Sequence, residues 1–303
     1  MSWSATSAVD ELDLGGAEVA VVVGPTASGK SDLALALAEA KNGEIIGADS
    51  VQVYRGFDIG SSKPTLEERA RVPHHLIDVI DPTDPLDAAS YAERAALAIE
   101  DVRRRGRFPI VCGGTFLWVR ALLYGLAEAP AGDPVVRKRH ADLARAEGRS
   151  ALYARLASVD PASAARLNPN DLVRVSRALE VFEVSGRPLS ASQSEHGFRT
   201  LRFHAALCGI RWPTDLLLAR IARRTERALS SGWIEEVEQL IRLGYRDTRP
   251  MSSVGYRQVL AHVEGRLGRE ELGPAIDRAT KVFARRQKTW LRDRPVVWLD
   301  PST

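Results

Sequence analysis

Cysteine is scarce in this 303-residue chain. Cys112 and Cys208 are the only two, each inside an apolar run. That leaves almost no material for a disulfide framework or a thiolate metal site, so both read as buried core thiols of a reducing compartment. No apolar run reaches about 18 residues, and the first sixteen positions have no basic start followed by an apolar stretch. These absences exclude a membrane span and a secretory signal and predict a cytoplasmic protein. Internal repeats and low-complexity tracts are missing, and His74 and His75 have no companion ligands, so they read as loop anchors and not as a metal pair. With 45% hydrophobic and 27% charged residues, wholesale disorder is excluded too. The length fits one large domain with an insert, or two domains sharing a core.

Net charge is only +3, but its placement is uneven. Residues 201–303 contain 19 Lys and Arg against 12 Asp and Glu, whereas the rest has 23 against 27. Any basic partner surface therefore lies in the C-terminal third. Of the 42 basic residues 36 are Arg, a bias that carries no functional weight by itself.

Residues 1–16 are small, polar and acidic without periodicity and read as a disordered tail. The run Val19–Val23 is β-branched and unbroken, as in a central parallel strand covered on both faces. A helical pattern follows over 31–41, then a strand over 44–48 closed by Asp49. A long Ala-rich helix over 87–105 precedes another strand at 108–112. This alternation predicts an α/β fold, a P-loop NTPase-like parallel sheet flanked by helices. From 128 to 196 no strand-like run survives, which predicts an inserted helical domain. The core is then discontinuous, 17–127 and 197–303, with a strand over 201–210, helices over 214–230, 232–243 and 271–293, and a last strand over 295–299.

The strongest local signal is Gly24-Pro25-Thr26-Ala27-Ser28-Gly29-Lys30-Ser31, which fits G-x-x-x-x-G-K-[ST] between a strand and a helix. Glycines let backbone amides curl round phosphate oxygens, the helix start adds partial positive charge, Lys30 adds a full one, and the Ser31 hydroxyl can ligate Mg²⁺. The loop implies a di- or triphosphate, not hydrolysis. A nucleotide-hydrolysing relative places an acid at the end of a neighbouring strand, but the strand over 108–112 runs into Gly113-Gly114-Thr115. The acid available is Asp49, at the carboxyl end of the second strand, as metal ligand, general base or cap of the following turn.

Several segments together make the pattern specific: GPTASGKS at 24–31, ADSVQVYRGFDIGSSKP at 48–64, PHHLID at 73–78, GGTFLW at 113–118, NDLVRVSRALEVFEVSGRPL at 170–189, VGYRQ at 254–258 and RRQKTWLR at 285–292. In this order they resemble the bacterial tRNA isopentenyltransferases, the tRNA dimethylallyltransferases, from near residue 18 to the C-terminus. The resemblance implies an enzyme that transfers the dimethylallyl group of dimethylallyl diphosphate to N6 of adenosine-37 in tRNA, next to the anticodon, with Mg²⁺ as cofactor. It implies that Gly24, Thr26, Ala27, Ser28, Gly29, Lys30 and Ser31 bind the diphosphate. Asp49 matches the general base, while Thr115 and Arg220 match residues that support the leaving group. Matching tRNA contacts are Asp49, Ser50, Val51 and Gln52 around the flipped base; Thr115; Arg137, Arg174 and Arg177 in or near the insert; and Tyr256, Arg257, Arg285, Arg286, Gln287, Lys288 and Arg292, of which Tyr256, like Trp290, reads equally as a packing residue. The protein is expected to act as a monomer. Departures from the pattern are Ser31 for Thr, Trp118 for Tyr, Lys281 for Arg, and Ser252-Ser253 ahead of VGYRQ, where some relatives place basic or bulky groups.

On the last helix Lys281, Arg285, Lys288 and Arg292 recur at spacings of 4, 3 and 4 and share one face. Phe283, Gln287 and Trp290 fall opposite, where they can pack. A P-loop small-molecule or nucleotide kinase is the alternative reading, and it leaves this basic helix and the 48–64 loop without a task. A non-catalytic RNA-binding protein would explain the charge but not a diphosphate cradle facing Asp49.

Overall fold

Six short runs assemble into one sheet in the computed structural model, which describes residues 4–10, 12–292 and 294–301. The strands are β1 (Val19–Val23), β2 (Gly43–Gly47), β3 (His74–His75), β4 (Phe108–Gly113), β5 (Ala205–Ile210) and β6 (Val296–Leu299). Their order across the sheet is β3-β2-β4-β1-β5-β6, with every pairing parallel. All five β1 side chains are buried, as an unbroken Val/Ala run between two covered faces requires. His74 and His75 form the short edge strand β3, paired with Ile45 and Ile46. They are sheet residues and not the loop anchors expected from the sequence.

The helices in chain order are α1 (Ala5–Asp10), α2 (Lys30–Lys41), α3 (Leu66–Arg71), α4 (Ala88–Arg104), α5 (Phe116–Tyr124), α6 (Pro134–Ala146), α7 (Arg149–Val159), α8 (Pro161–Arg166), α9 (Leu172–Ser185), α10 (Leu189–His196), α11 (Thr214–Ser230), α12 (Trp233–Arg242), α13 (Tyr256–Val263) and α14 (Arg269–Leu291). Contacts divide the chain into two units, Met1–Leu123 with Arg202–Thr303, and Tyr124–Leu201. The first contains the whole sheet. The second consists of α6 to α10 around a small apolar core of Leu152, Leu156, Ala164, Val175, Ala178 and Leu179. Pro at the first turns of α6 and α8, after Asp caps, starts those helices where the sequence is punctuated.

The expected tail needs correcting. Residues 5–10 form α1, and Ala8, Val9 and Leu12 are buried in the cluster that includes Leu33 and Leu37 of α2. A six-residue helix is too short to persist alone. Burying Val9 and Leu12 contributes about 1.5–3 kcal/mol each, enough to seat it. Positions 1–3 and 11 of that stretch lie outside the described residues.

Sheet register places the carboxyl ends of three strands together. Val23 of β1 pairs with Gly113 of β4, and Gly47 of β2 pairs with Cys112. Gly24, Asp49 and Gly114 therefore leave the sheet side by side, at the edge where open α/β sheets collect ligands.

Candidate active site

The loop from Gly24 to Lys30 turns from β1 into α2. Ala27 and Gly29 have φ of 63° and 88°, a left-handed path that glycine adopts without strain. The first hydrogen bond into the helix runs from the Leu33 N–H to the Gly29 carbonyl at 3.1 Å. Amides ahead of it point out of the helix end, where an anion fits.

Four side chains brace this loop from behind. The Trp212 indole N–H donates to the Ser28 carbonyl at 2.8 Å. Arg220 Nε donates to the Ala27 carbonyl at 2.8 Å, and its guanidinium lies 4.4 Å over the Trp212 ring. Gln287 accepts from the Thr26 N–H at 2.8 Å and donates to the Gly114 carbonyl at 3.0 Å, tying the loop to the end of β4. Arg224 hydrogen-bonds Thr26 Oγ1 and donates to Ser62 Oγ at 3.0 Å and to the Ser61 carbonyl at 3.3 Å.

Charge in the site is partly desolvated. Burial lowers the Lys30 pKa, opposed by Cys112 and Asp49. Burial also lowers that of Arg224, with Asp49 the main opposing neighbour. Asp32, in the first turn of α2, is raised by burial and lowered by Arg220. Burial pushes the Cys112 thiol up to about 11; the thiol donates to the Lys30 carbonyl at 3.6 Å and is a packing group, not a nucleophile.

Asp49 follows β2 and does two things. Its Oδ1 accepts from the Val51 and Gln52 amides at 2.9 and 3.3 Å, the cap of a turn. Oδ2 takes neither bond. Thr115 Oγ1 accepts from the Ser50 N–H at 3.0 Å, which leaves its own hydroxyl hydrogen to donate. The Gln52 amide donates to the Ser61 and Ser62 carbonyls at 3.1 and 3.0 Å. Lys63, its side chain 2% exposed, bridges Asp58 and Asp78 and donates to the Tyr54 carbonyl at 2.9 Å. The polar 48–64 segment is thus a self-bonded loop beside the phosphate cradle.

Several expected RNA contacts sit elsewhere. Tyr256 is 1% exposed, packed on Phe57 and Trp233, and its hydroxyl donates to Glu236 at 2.7 Å. Gln287 is likewise buried, in the bonds to Thr26 and Gly114. Both are internal ties, because each faces a packed neighbour that periodicity alone does not identify. Phe283 is exposed, while Trp290 stacks on Phe116 at 4.5 Å. Ala284, Gln287 and Leu291 form the inward face of α14.

The opposite face keeps its charge. Lys281, Arg285, Arg286, Lys288 and Arg292 are exposed, and among the described residues no carboxylate pairs with any of them. Asp293, the acid of that stretch, lies outside the described residues. Arg257 at the start of α13 is exposed too.

In the helical unit Arg137 and Arg177 are held by one carboxylate. Both bond Glu180, a fully buried carboxylate, at 2.9 and 2.6 Å. Their hydrogen bonds, with the Asp133 amide, hold the Glu180 carboxyl low although burial pushes it up. Arg174 is largely exposed and pairs only with Asp171 one turn away, at 2.8 Å.

Sequence reasoning missed Arg224, Trp212, Lys63 and Glu236. Arg224 had a signal, its spacing of four from Arg220 on one face of α11. Glu236 had none, since a Glu in a helix reads as solvated.

Comparison with known proteins gives a consistent picture. The family model described as IPP transferase matches residues 52–294. A tRNA dimethylallyltransferase of Sorangium cellulosum is 58% identical over 93% of this chain and 90% of its own length. One from Geobacter metallireducens is 48% identical over 92% and 91%. The crystal structure of the full-length tRNA isopentenylpyrophosphate transferase of Bacillus halodurans superposes with a TM-score of 0.69 at 34% identity, covering 93% of this chain and 89% of that one. A eukaryotic dimethylallyltransferase captured acting on tRNA gives 0.80 at 27% identity, over 93% and 73%. The matched span runs from the loop after Asp49 to the end of α14, so the chain belongs to the IPP transferase family.

Proposed function

We propose that the chain transfers the dimethylallyl group of dimethylallyl diphosphate to N6 of adenosine-37 in the anticodon stem-loop of tRNA, with Asp49 as general base. The carrying observation is the placement of Asp49 beside the phosphate loop, with Oδ2 outside the turn bonds, while β4 ends in Gly113-Gly114-Thr115 without a carboxylate. A kinase reading lacks the acid that would hold its metal on β4.

In the transfer, the bond from the allylic carbon to the diphosphate oxygen breaks and its electron pair leaves with the diphosphate. The N6 lone pair forms the new C–N bond, and the N6 proton passes to Asp49 Oδ2. Because an allylic carbon carries positive charge early, the larger task is stabilising the leaving group. The loop amides and Lys30 face it; Arg224, Arg220 and Gln287 keep the loop in shape. Thr115 has a hydroxyl hydrogen to donate. Among the described residues no group of three His, Cys, Asp or Glu could bind a metal. The Ser31 hydroxyl on the first turn of α2 nevertheless fits Mg²⁺, a cation that binds through few protein oxygens and substrate phosphates. Once bound there, Mg²⁺ would offset charge on the departing diphosphate.

The adenine must leave its stack, at a cost of a few kcal/mol that binding elsewhere has to offset. The unpaired face of α14 supplies that. Incubation with Mg²⁺, labelled dimethylallyl diphosphate and unmodified tRNA is expected to move label to RNA. Retention of tRNA without transfer, or phosphate release from ATP without RNA, would refute this function.

Arg285→Ala is expected to weaken tRNA binding and to reduce the slope of log K against log salt by about one. Titrations at three or more salt concentrations measure it, and an unchanged slope would remove Arg285 from the interface.

A further inference from the structure

The transfer site is braced by a carboxylate outside it. Trp233, Val237 and Leu240, spaced 4 and 3 apart, are the buried face of α12. Glu236 stands at the edge of that face, one turn into the helix, where the dipole favours a negative charge. Its Oε2 accepts from the Asp58 and Ile59 amides at 3.0 and 2.7 Å. Its Oε1 accepts from the Gly60 amide at 3.5 Å and from the Tyr256 hydroxyl at 2.7 Å. Three consecutive amides of one turn and one phenol thus converge on a single carboxylate.

Packing fixes the same turn. A Cβ at Gly60 would lie 2.1 Å from Trp233 Nε1, and one at Gly255 2.3 Å from Trp233 Cη2. The indole therefore fills the gap between two backbones that only glycine opens this far. The turn continues into Ser61 and Ser62, whose carbonyl and hydroxyl receive Arg224, and Arg224 reaches Thr26 of the phosphate loop. A continuous chain of bonds runs from Glu236 through residues 58–62 and Arg224 to the diphosphate cradle.

We propose that Glu236 is a positioning residue for the transfer reaction, setting the 58–62 turn that aims Arg224 at the phosphate loop. This rests on the function proposed above. The carboxylate touches no substrate; its effect passes through Arg224. A displaced arginine would leave the fold standing and degrade diphosphate binding and departure, where an error of about 1 Å costs on the order of 100-fold.

A double-mutant cycle between Glu236→Gln and Arg224→Ala tests this. Gln keeps the volume but offers one acceptor oxygen in place of two, so two of the four donors lose their partner. Glu236→Gln is expected to lower kcat/KM for dimethylallyl diphosphate by about 10- to 100-fold. In the Arg224→Ala background the same substitution should cost less than about 3-fold, because coupled residues are not additive. Independent, multiplying losses would overturn the assignment, since a general packing role does not depend on Arg224. If Glu236→Gln does not fold, Tyr256→Phe withdraws one donor from the same carboxylate and keeps the ring. Its loss should be a few-fold and should again vanish in the Arg224→Ala background; a loss that persists there overturns the assignment too. Assay of the unaltered protein separates the two failures. No label transfer sinks the proposed function, whereas normal transfer with an additive cycle sinks only the role of Glu236.

Discussion

Asp49→Asn is expected to slow single-turnover prenyl transfer by about 10²–10⁴, the range of a general base, while the protein melts close to the unaltered chain. The two oxygens of Asp49 make this substitution informative. Oδ1 caps the turn at Val51 and Gln52. An Asn side chain keeps that acceptor, so the loop holds its shape. What disappears is the negative charge and the basic second oxygen, since the amide nitrogen donates and does not accept. An Asp49→Ala comparison adds the loss of the cap, worth about 1 kcal/mol. If the residue were only a cap, Asn would be nearly silent and Ala would show a stability loss. If it is the base, both variants lose the chemical step and Ala alone loses stability. The base is asked for a modest effect because an exocyclic amine becomes strongly acidic only after alkylation begins. Rapid-quench measurement of the single-turnover rate, with thermal melts alongside, decides between these; a rate near that of the unaltered chain in Asp49→Asn would end the assignment.

How much of this could be read before folding depends on the kind of signal. Local signals transferred well. The unbroken Val19–Val23 run became the buried β1, and Gly29 ahead of Lys30 became the left-handed entry to α2. Pro134 and Pro161 marked helix starts in an insert of α6 to α10. Helical spacing placed Gln287 and Lys288 on different sides of α14 but not what covers each side. That depended on the turn after β4, far away in sequence: the packing read for Gln287 became a tie to the Gly114 carbonyl, and the RNA contact that the resemblance implied for it falls on a buried side chain. What covers Tyr256 was hidden for the same reason, because its partner Glu236 lies on another helix and the carboxylate gave no local sign of burial. Arg137 and Arg177, tRNA contacts by resemblance, are both tied to Glu180, which is buried beside them. A buried carboxylate on an amphipathic helix leaves no trace in periodicity. Even α1 escaped, since six residues are too few to show a period and its existence depends on α2.

Lys30→Met should lower kcat/KM for dimethylallyl diphosphate by about 10²–10³, the cost of losing one preorganised donor at a developing oxyanion. The same variant should be more stable when no diphosphate is present. Burial lowers the Lys30 pKa. A lysine depressed in the folded state is charged at a cost to folding at every pH below its folded pKa, and that cost is relieved as pH rises toward the ordinary value of 10.5. Methionine removes the buried amine and keeps the stem, so below 10.5 the melting temperature rises. Added inorganic diphosphate should then stabilise the unaltered chain far more than the variant, because the anion repays the burial only when the ammonium is there. The pH profile carries the third mark. In the free protein the lysine loses its proton below 10.5, so kcat/KM for the donor falls on an alkaline limb set by Lys30. A bound diphosphate, being anionic, holds the proton on, so kcat should persist to higher pH than kcat/KM. In Lys30→Met the alkaline limb of kcat/KM should flatten at its reduced level. A variant that is inactive and also less stable would mean a damaged loop and not a missing charge. One with normal kcat/KM would take Lys30 away from the leaving group altogether.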